Sequence, residues 1–309
     1  PVEYEDAKAR YLRDLEAAVE ALPTRRSSAV VNALMRSVAG RYIFTHPEYD
    51  LALAREMLSS LTLEEINALF AEIWGGQLPR MFLVGNLPEE VDETSIEQAF
   101  HEVWQRDVEP PEDIERPEFA YREFGQPGSV VAESVVEDLD FQQWTLSNGT
   151  RVNLKKTDFE SDRIHIMIRV EGGLYDLPKE KTGLATLASL TFVDGGLGRH
   201  SMDEIDRIFA GKLVGVNFSV DADAFVLSAT TSRKDLQDQL QLLTAYLVDP
   251  GYRSEAMHIV RDQLPLIYNR YTQTPEGNWQ YKKFPLLIEP DYRLEIPARE
   301  EVERLNMVD

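Results

Sequence analysis

Apolar residues recur at steps of three and four through the first 75 positions, which is the spacing of one face of an α-helix. The pattern predicts three helices: one at 7–22, one that follows Ser27 and Ser28 and ends before Gly40, and one at 62–74. Ser27 and Ser28 are expected to cap the second helix, and Thr62 with Glu65 has the spacing of a capping box, worth about 1 kcal/mol. A short apolar run at 81–85 predicts a buried strand.

Beyond residue 140 the apolar period changes to two. Residues 144–154 indicate a hairpin whose Asn148-Gly149 turn requires positive φ at both central positions. Alternation predicts further strands at 164–170, 214–220 and 225–231. Helices are predicted at 183–192, where the sequence is apolar or small nearly all round and should be buried, at 201–209, at 236–247 and at 254–271. This order predicts an α+β fold in which an antiparallel sheet has helices packed on one side.

The net charge of the chain limits the classes of partner that it is expected to bind. The chain carries 54 Asp and Glu against 32 Lys and Arg, a formal charge of -22, so neither nucleic acid nor a membrane is expected to bind it. Residues 88–140 hold 17 acids against 3 Arg, with several prolines, and are interpreted as an extended, poorly packed linker apart from a short helix at 95–104. An acidic docking strip for a basic partner is the alternative interpretation. The absence of cysteine excludes disulfides, thiolate zinc sites and cysteine nucleophiles.

Three local motifs resemble the pitrilysin/insulinase family of zinc peptidases, the inverzincins, and in particular its long bacterial members built as two halves. Residues 146–152, L-S-N-G-T-R-V, are similar to the L-x-N-G-x-x-V that opens each half. Residues 183–190, G-L-A-T-L-A-S-L, lie where an active half has G-x-A-H-x-x-E-H. Residues 211–220, G-K-L-V-G-V-N-F-S-V, are similar to the family's G-G-x-x-N-A-x-T strand. With 49–86 and 234–252, which also resemble family segments, the likeness covers nearly the whole chain.

The resemblance implies a division of the chain into three parts. Residues 1–87 would be the C-terminal part of a second peptidase-like domain, residues 88–140 the acidic linker, and residues 141–309 a third, non-catalytic peptidase-like domain. The chain would then contain one partial and one near-complete copy of the pitrilysin-like domain. Because it lacks an initiator Met and starts inside a helical pattern, it is expected to be a piece of a longer protein.

The metal-binding positions depart from the family pattern. In the family, two His bind Zn²⁺, the Glu near them activates the water, and a more distant Glu is the third ligand. The matching positions here are Thr186, Ser189 and Leu190, and the distant ligand would fall within 263–268, in a stretch without Glu. A metal lowers the pKa of water from 15.7 to about 7, and hydroxyl groups cannot replace it. No catalytic residue, cofactor site or metal ligand is therefore predicted here, and zinc would be bound upstream in the full-length protein.

Other residue groups are weaker candidates for a site. The five histidines, at 46, 101, 165, 200 and 258, are too widely spaced in sequence to indicate a zinc site. Asp221 and Asp223 are interpreted as turn residues rather than Ca²⁺ ligands. Ser189 lacks both a G-x-S-x-G elbow and an identifiable histidine base, so packing is its expected role. Residues 268–271 either border a peptide channel or are buried in their helix.

The resemblance implies a zinc metalloendopeptidase, a hydrolase of peptide bonds, in which this chain supplies the linker and the inactive half that encloses the peptide. Its expected partners are the peptide substrate and the catalytic half of the same chain, and alone it should be inactive. Two alternatives stay open: a non-catalytic structural or substrate-presenting subunit of the same family, and an unrelated acidic binding module. Long bacterial family members are commonly periplasmic or envelope-associated, so that location is expected, with the cytoplasm as the alternative.

Overall fold

The computed structural model describes residues 2–75, 81–85, 91–106, 117–287, 291–293 and 295–309. Within these residues the helices are α1 (Val2–Glu20), α2 (Ser27–Gly40), α3 (Pro47–Ser60), α4 (Leu63–Gly75), α5 (Glu93–Trp104), α6 (Leu184–Thr191), α7 (Met202–Ile208), α8 (Leu236–Val248), α9 (Ser254–Gln273), α10 (Pro275–Leu287) and α11 (Arg299–Glu303). The strands are β1 (Val130–Val136), β2 (Phe141–Leu146), β3 (Arg151–Leu154), β4 (Ile164–Glu171), β5 (Asn217–Val220) and β6 (Ala224–Thr231). No helix in the described ranges is both long and apolar enough to cross a bilayer.

The first four helices form a region in which α1 lies against α3. The Tyr4 hydroxyl of α1 donates a 2.6 Å hydrogen bond to the Leu61 carbonyl at the end of α3. The predicted capping box before α4 is confirmed: the Thr62 N–H donates to the Glu65 carboxylate at 2.8 Å, and the Glu65 N–H donates to the Thr62 hydroxyl at 3.2 Å. Helix α3, which starts at Pro47, was not predicted from apolar spacing.

Two local predictions in this region are wrong. Ser27 and Ser28 do not precede α2 but form its first two positions, and Arg26 stands before the helix without a side-chain cap. Residues 81–85, predicted as a buried strand, form no strand and are all exposed. A strand depends on a neighbouring strand for its backbone hydrogen bonds, so an isolated extended segment is not stabilised. No described strand pairs with residues 81–85.

The strands form two three-stranded antiparallel sheets, with orders β1-β2-β3 and β4-β6-β5. In the second sheet, Leu227 of the central strand β6 stands between Ile168 of β4 and Phe218 of β5. This face packs on buried side chains of α7 and α8, whereas Met167 on the other face of β4 is exposed. The predicted α+β class, with an antiparallel sheet covered by helices on one side, is confirmed.

The first hairpin forms where it was predicted, with a different turn. Gly149 has φ +85°, but Asn148 is outside the left-handed region, so only one central position has positive φ. The Leu146 N–H donates to the Thr150 carbonyl at 2.8 Å, which leaves a three-residue loop. The Asn148 side chain accepts from the Thr150 N–H at 3.0 Å. A three-residue loop ending in a left-handed glycine is the second common hairpin class, which explains why the same dipeptide serves here.

The predicted linker is partly a packed element. The short helix expected at 95–104 is present as α5, and residues 130–136 form β1, which pairs with β2 over its whole length. Phe119 and Tyr121 are buried in the main apolar cluster of the second sheet. The expectation of poorly packed backbone is therefore wrong at Phe119 and Tyr121, whose rings meet apolar partners, and in β1, whose backbone pairs with β2 although Val130, Val131 and Val135 are exposed. The division of the chain at residues 87 and 140 stays a prediction.

Candidate functional site

Helix α6 carries the three positions at which the family resemblance places metal ligands and base. Thr186, Ser189 and Leu190 follow one another at steps of three and one, so that their side chains lie along one side of the helix. Thr186 and Leu190 are half-buried and Ser189 is exposed, while Leu187 and Thr191 are buried. The helix was predicted to be buried all round, and it instead exposes the side that carries Ser189.

Leu190 belongs to an apolar cluster that joins α6, α9 and α11. The buried members of this cluster are Leu187, Met257, Val260, Leu264, Val302 and Leu305, and Leu184, Leu190, Tyr268 and Met307 pack against them. An alkyl side chain offers no lone pair to a metal, and apolar burial stabilises by about 25 cal/mol per Å² of covered surface. At this position the chain therefore gains packing where the family pattern has a ligand.

The stretch in which a distant metal ligand was sought lies in the middle of α9. Leu264 of this stretch is buried in the same cluster, and the Tyr268 hydroxyl donates to the Pro297 carbonyl at 2.7 Å. Burial raises the pKa of the Tyr268 phenol. The Tyr268 ring meets Tyr271 edge-on at 5.6 Å, and Tyr271 stacks on Tyr281 of α10. These contacts favour helix packing, the second of the two interpretations of residues 268–271.

The side chains on this side of α6 do not fit a zinc ion. Protein zinc sites use Cys, His, Asp and Glu, whereas Thr186 and Ser189 offer neutral hydroxyls and Leu190 offers none. In the part of the chain that the structure describes, no three His, Cys, Asp or Glu side chains converge on one point. No hydrolytic step is therefore derived from this site.

Thr186 and Ser189 instead line a cleft of about 310 Å³ between α6, the end of β5 and the segment before α11. Its wall includes Leu174, Leu177, Pro178, Lys181, Thr182, Ala185, Leu190, Val220, Tyr292, Arg293, Glu295 and Pro297. Both cations in this wall are already paired: Lys181 with Asp309 at 2.7 Å, and Arg293 with Asp291 through two hydrogen bonds. The Arg293 guanidinium lowers the pKa of Asp291 to about 2. The cleft thus combines apolar walls, the hydroxyls of Thr182, Thr186, Ser189 and Tyr292, two paired cations and the Glu295 carboxylate, which suits a polypeptide segment better than a single strong ion.

The remaining candidates lie elsewhere and do not join the cleft. Asp221 and Asp223 both bind the Arg169 guanidinium at 2.7 Å, so their carboxylates serve an ion pair at the hairpin tip. His165 is exposed on the open sheet face, with Nε2 2.7 Å from the Glu160 carboxylate. No histidine of the described ranges shares a site with two further metal-binding side chains.

Two parts of the molecule were missed from the sequence. Residues 291–293 and 295–297, which close the cleft with Arg293, Glu295 and Pro297, lie beyond the last helix that the apolar pattern predicts. His200 is one of the five histidines that are widely spaced in the sequence, yet its side chain is buried and contacts the aromatic rings of Phe119 and Tyr121. The spacing of Ser201 and Glu204, a capping box directly after His200, was the available signal that this position starts a packed helix.

The chain shows homology to PqqL, a zinc protease of the pitrilysin/insulinase family, in agreement with the resemblance of its three motifs. Its sequence is 22% identical over 223 residues to the probable zinc protease PqqL of Haemophilus influenzae, a match that covers 70% of this chain and 24% of that protein. Its fold resembles the crystal structure of the periplasmic protease PqqL from Escherichia coli, with a TM-score of 0.53 and 16% identity over 100% of this chain and 34% of that chain. No protein-family model matches the chain. The chain thus spans about a quarter to a third of the length of these relatives.

Proposed function

We propose that this chain is part of a zinc metalloendopeptidase and supplies its linker and a non-catalytic domain that encloses the peptide. The zinc and the catalytic base would be held by another part of the same polypeptide, in the catalytic half. The observation that supports the proposal is in α6: at Leu190, where the motif resemblance would put a metal ligand, the side chain packs into an apolar cluster. The name of the Haemophilus relative, a zinc protease, supports the metal and the reaction class.

The cleft beside α6 supports the role of an enclosing wall. Hydrolysis of an amide at neutral pH needs an activated water, which the hydroxyls of Thr186 and Ser189 cannot provide. Apolar surface and hydroxyls along a concave wall can nevertheless bind peptide side chains and exclude water from a neighbouring catalytic half. A periplasmic location is proposed on the same footing, since the solved relative is described as a periplasmic protease.

Metal content tests the first part of the proposal. The purified 309-residue chain should contain far less than one zinc ion per chain by elemental mass spectrometry, and it should not cleave peptides. The full-length protein should contain zinc and lose its peptidase activity to a chelator. Stoichiometric zinc in the isolated chain would contradict the proposal, and a full-length protein without zinc or activity would favour a non-catalytic subunit instead.

A cleft-filling substitution tests the second part. In the full-length protein, Thr186→Phe should lower kcat/KM for long peptides by about tenfold, equivalent to 1.4 kcal/mol of lost transition-state binding, and leave the zinc content unchanged. Thr244→Phe is the matched control, because Thr244 is also a half-buried threonine on a helix but lies on α8, away from this cleft. Equal activity of the two variants would show that the cleft does not meet the peptide.

A further inference from the structure

The segment from Glu118 to Arg122, inside the predicted linker, is held on the core at a point far away in sequence. Phe119 is 7% exposed and Tyr121 8% exposed, although both lie in the most acidic part of the chain. The Ala120 N–H between them donates a 2.9 Å hydrogen bond to Nε2 of His200. His200 and the residues around it therefore contact both the backbone and the side chains of this segment.

Aromatic contacts surround His200 on both sides. The Phe119 ring stacks on the imidazole at 5.7 Å with an angle of 19° between the planes, and the Tyr121 ring meets it edge-on at 6.0 Å. Phe119 also meets Phe209 edge-on at 5.0 Å. The imidazole is only 5% exposed, so solvent reaches it poorly while the segment is in place.

Tyr121 provides a second attachment. Its hydroxyl donates to the Asp249 carboxylate at 2.6 Å and accepts from the Arg199 N–H at 2.8 Å. The Arg199 guanidinium also lies over the Tyr121 ring, 5.8 Å from its centroid. These contacts do not involve the His200 proton, but the Tyr121 ring also meets the imidazole edge-on, so the segment is held at His200 and at Asp249 together.

The hydrogen bond from Ala120 defines the protonation state of His200. A backbone N–H can only donate, so Nε2 must be unprotonated and the imidazole must be neutral. The charged or titratable groups that face the histidine are Glu204, with a carboxylate oxygen 3.9 Å from Nδ1, Arg199, Arg253 and the Tyr121–Asp249 pair. Burial lowers the pKa of His200 below its ordinary value, Arg253 and Arg199 lower it further, and Glu204 raises it. The Glu204 carboxylate already accepts from the Ser201 N–H at 2.7 Å.

We propose that His200 is a proton-sensitive latch: when neutral it holds residues 118–122 on the domain, and protonation releases this end of the linker. If Nε2 were protonated, its N–H would point at the Ala120 N–H, and two donors cannot form a hydrogen bond. The imidazolium cation would also be enclosed by aromatic rings, with Arg199 and Arg253 nearby. Release would free residues 118–122 without unfolding the sheet behind them. The latch depends only on these contacts and stands apart from the proposed peptidase role.

Amide hydrogen exchange of the 309-residue chain tests the latch. After correction for chemical exchange rates, protection of the Ala120 amide should fall by up to about tenfold for each pH unit as the pH drops from the ordinary histidine pKa toward the lowered pKa of the latched imidazole, and it should level off below that lowered pKa. Amides of Leu242 and Leu243 in α8 should stay protected over the same range. Protection of Ala120 that does not change between pH 7.5 and 5, or an equal loss in α8, would overturn the latch.

Two variants separate the latch from a structural role. His200→Gln can place an amide oxygen near the position of Nε2 and does not titrate, so Ala120 should lose its pH dependence. His165→Gln, which alters an exposed histidine of β4, should keep the wild-type pH dependence. If His200→Gln does not fold, the ¹⁵N shifts of the wild-type imidazole decide instead: an unprotonated Nε2 at pH 7.5 supports the latch, and a protonated one contradicts it.

Discussion

Residues 2–75 show clear helical periodicity and the described residues from 117 onward show both helical and strand periodicities, but the two regions differ in how far their apolar faces are buried. Val38 on α2 is 72% exposed and Ile73 on α4 70% exposed, whereas Leu243 on α8 is 0% exposed. Within the described residues, Leu51 and Ala54 are the buried members of the hydrophobic core in the first region. Both apolar clusters lie in the second region.

The comparison shows that apolar periodicity identifies the face of a helix that could be buried but not the surface that buries it. Burial stabilises only where a second apolar surface lies opposite, and α8 has such a surface in β6. The apolar faces of α2 and α4 meet no comparable surface among the described residues. We therefore expect cooperative stability to reside mainly in the second region.

The largest difference is expected from truncating one apolar side chain in each region. Leu243→Ala should lower the free energy of unfolding by about 3 to 5 kcal/mol, because it leaves a cavity in a closely packed core. Ile73→Ala is the control in the other region and should change it by less than about 0.5 kcal/mol, because the side chain is already exposed. Urea unfolding followed by circular dichroism measures both. Equal losses would show that α4 is as well buried as α8 in solution.

A smaller difference is expected from the two capping boxes, which are chemically alike. Ser201→Ala removes the hydroxyl that accepts from the Glu204 N–H at 3.2 Å, and global stability should fall by about 1 kcal/mol because α7 belongs to the core. Thr62→Ala removes the same contact from α4, where faster amide exchange should stay confined to that helix. Hydrogen exchange with mass spectrometry distinguishes the two outcomes. A global effect of Thr62→Ala would place α4 in the same cooperative unit.

The smallest difference is expected from exposed ion pairs, in which the two regions should behave alike. Arg55 lowers the pKa of Glu16 in the first region, and Arg293 lowers that of Asp291 in the second. Because both folded-state pKa values lie below the unfolded ones, each pair stabilises above the ordinary carboxyl pKa. That contribution is lost as the pH falls through the lowered pKa.

Arg55→Gln and Arg293→Gln should each return the partner carboxyl pKa toward its ordinary value while changing stability little, since solvent screens exposed pairs. Carboxyl titration by NMR measures the pKa values of Glu16 and Asp291 in wild type and variants. An unchanged Asp291 pKa in Arg293→Gln would show that the two hydrogen bonds to the guanidinium do not persist in solution.

Features that depend on neighbours in sequence could be predicted well. The capping box at Thr62 and the alternation of β4 were correct because their hydrogen bonds and faces follow from residues a few positions apart. The absence of His, Cys, Asp and Glu from α6 could also be read directly from the sequence, because it depends on which residues are present and not on their geometry. The role of Leu190 in an apolar cluster could not, because the other side chains come from α9 and α11.

The amino-acid sequence alone determined which residues can accept a proton or a metal, which faces are apolar and where the capping boxes at Thr62 and Ser201 form. Only the tertiary structure decided which of those faces are covered, that Arg293 and Pro297 close the cleft beside α6, and that Ala120 meets His200, 80 residues away. The physical reason is that such contacts depend on how the chain returns to itself. The free energy of such a contact comes from two surfaces that pack against each other, and no single segment of the chain contains both surfaces.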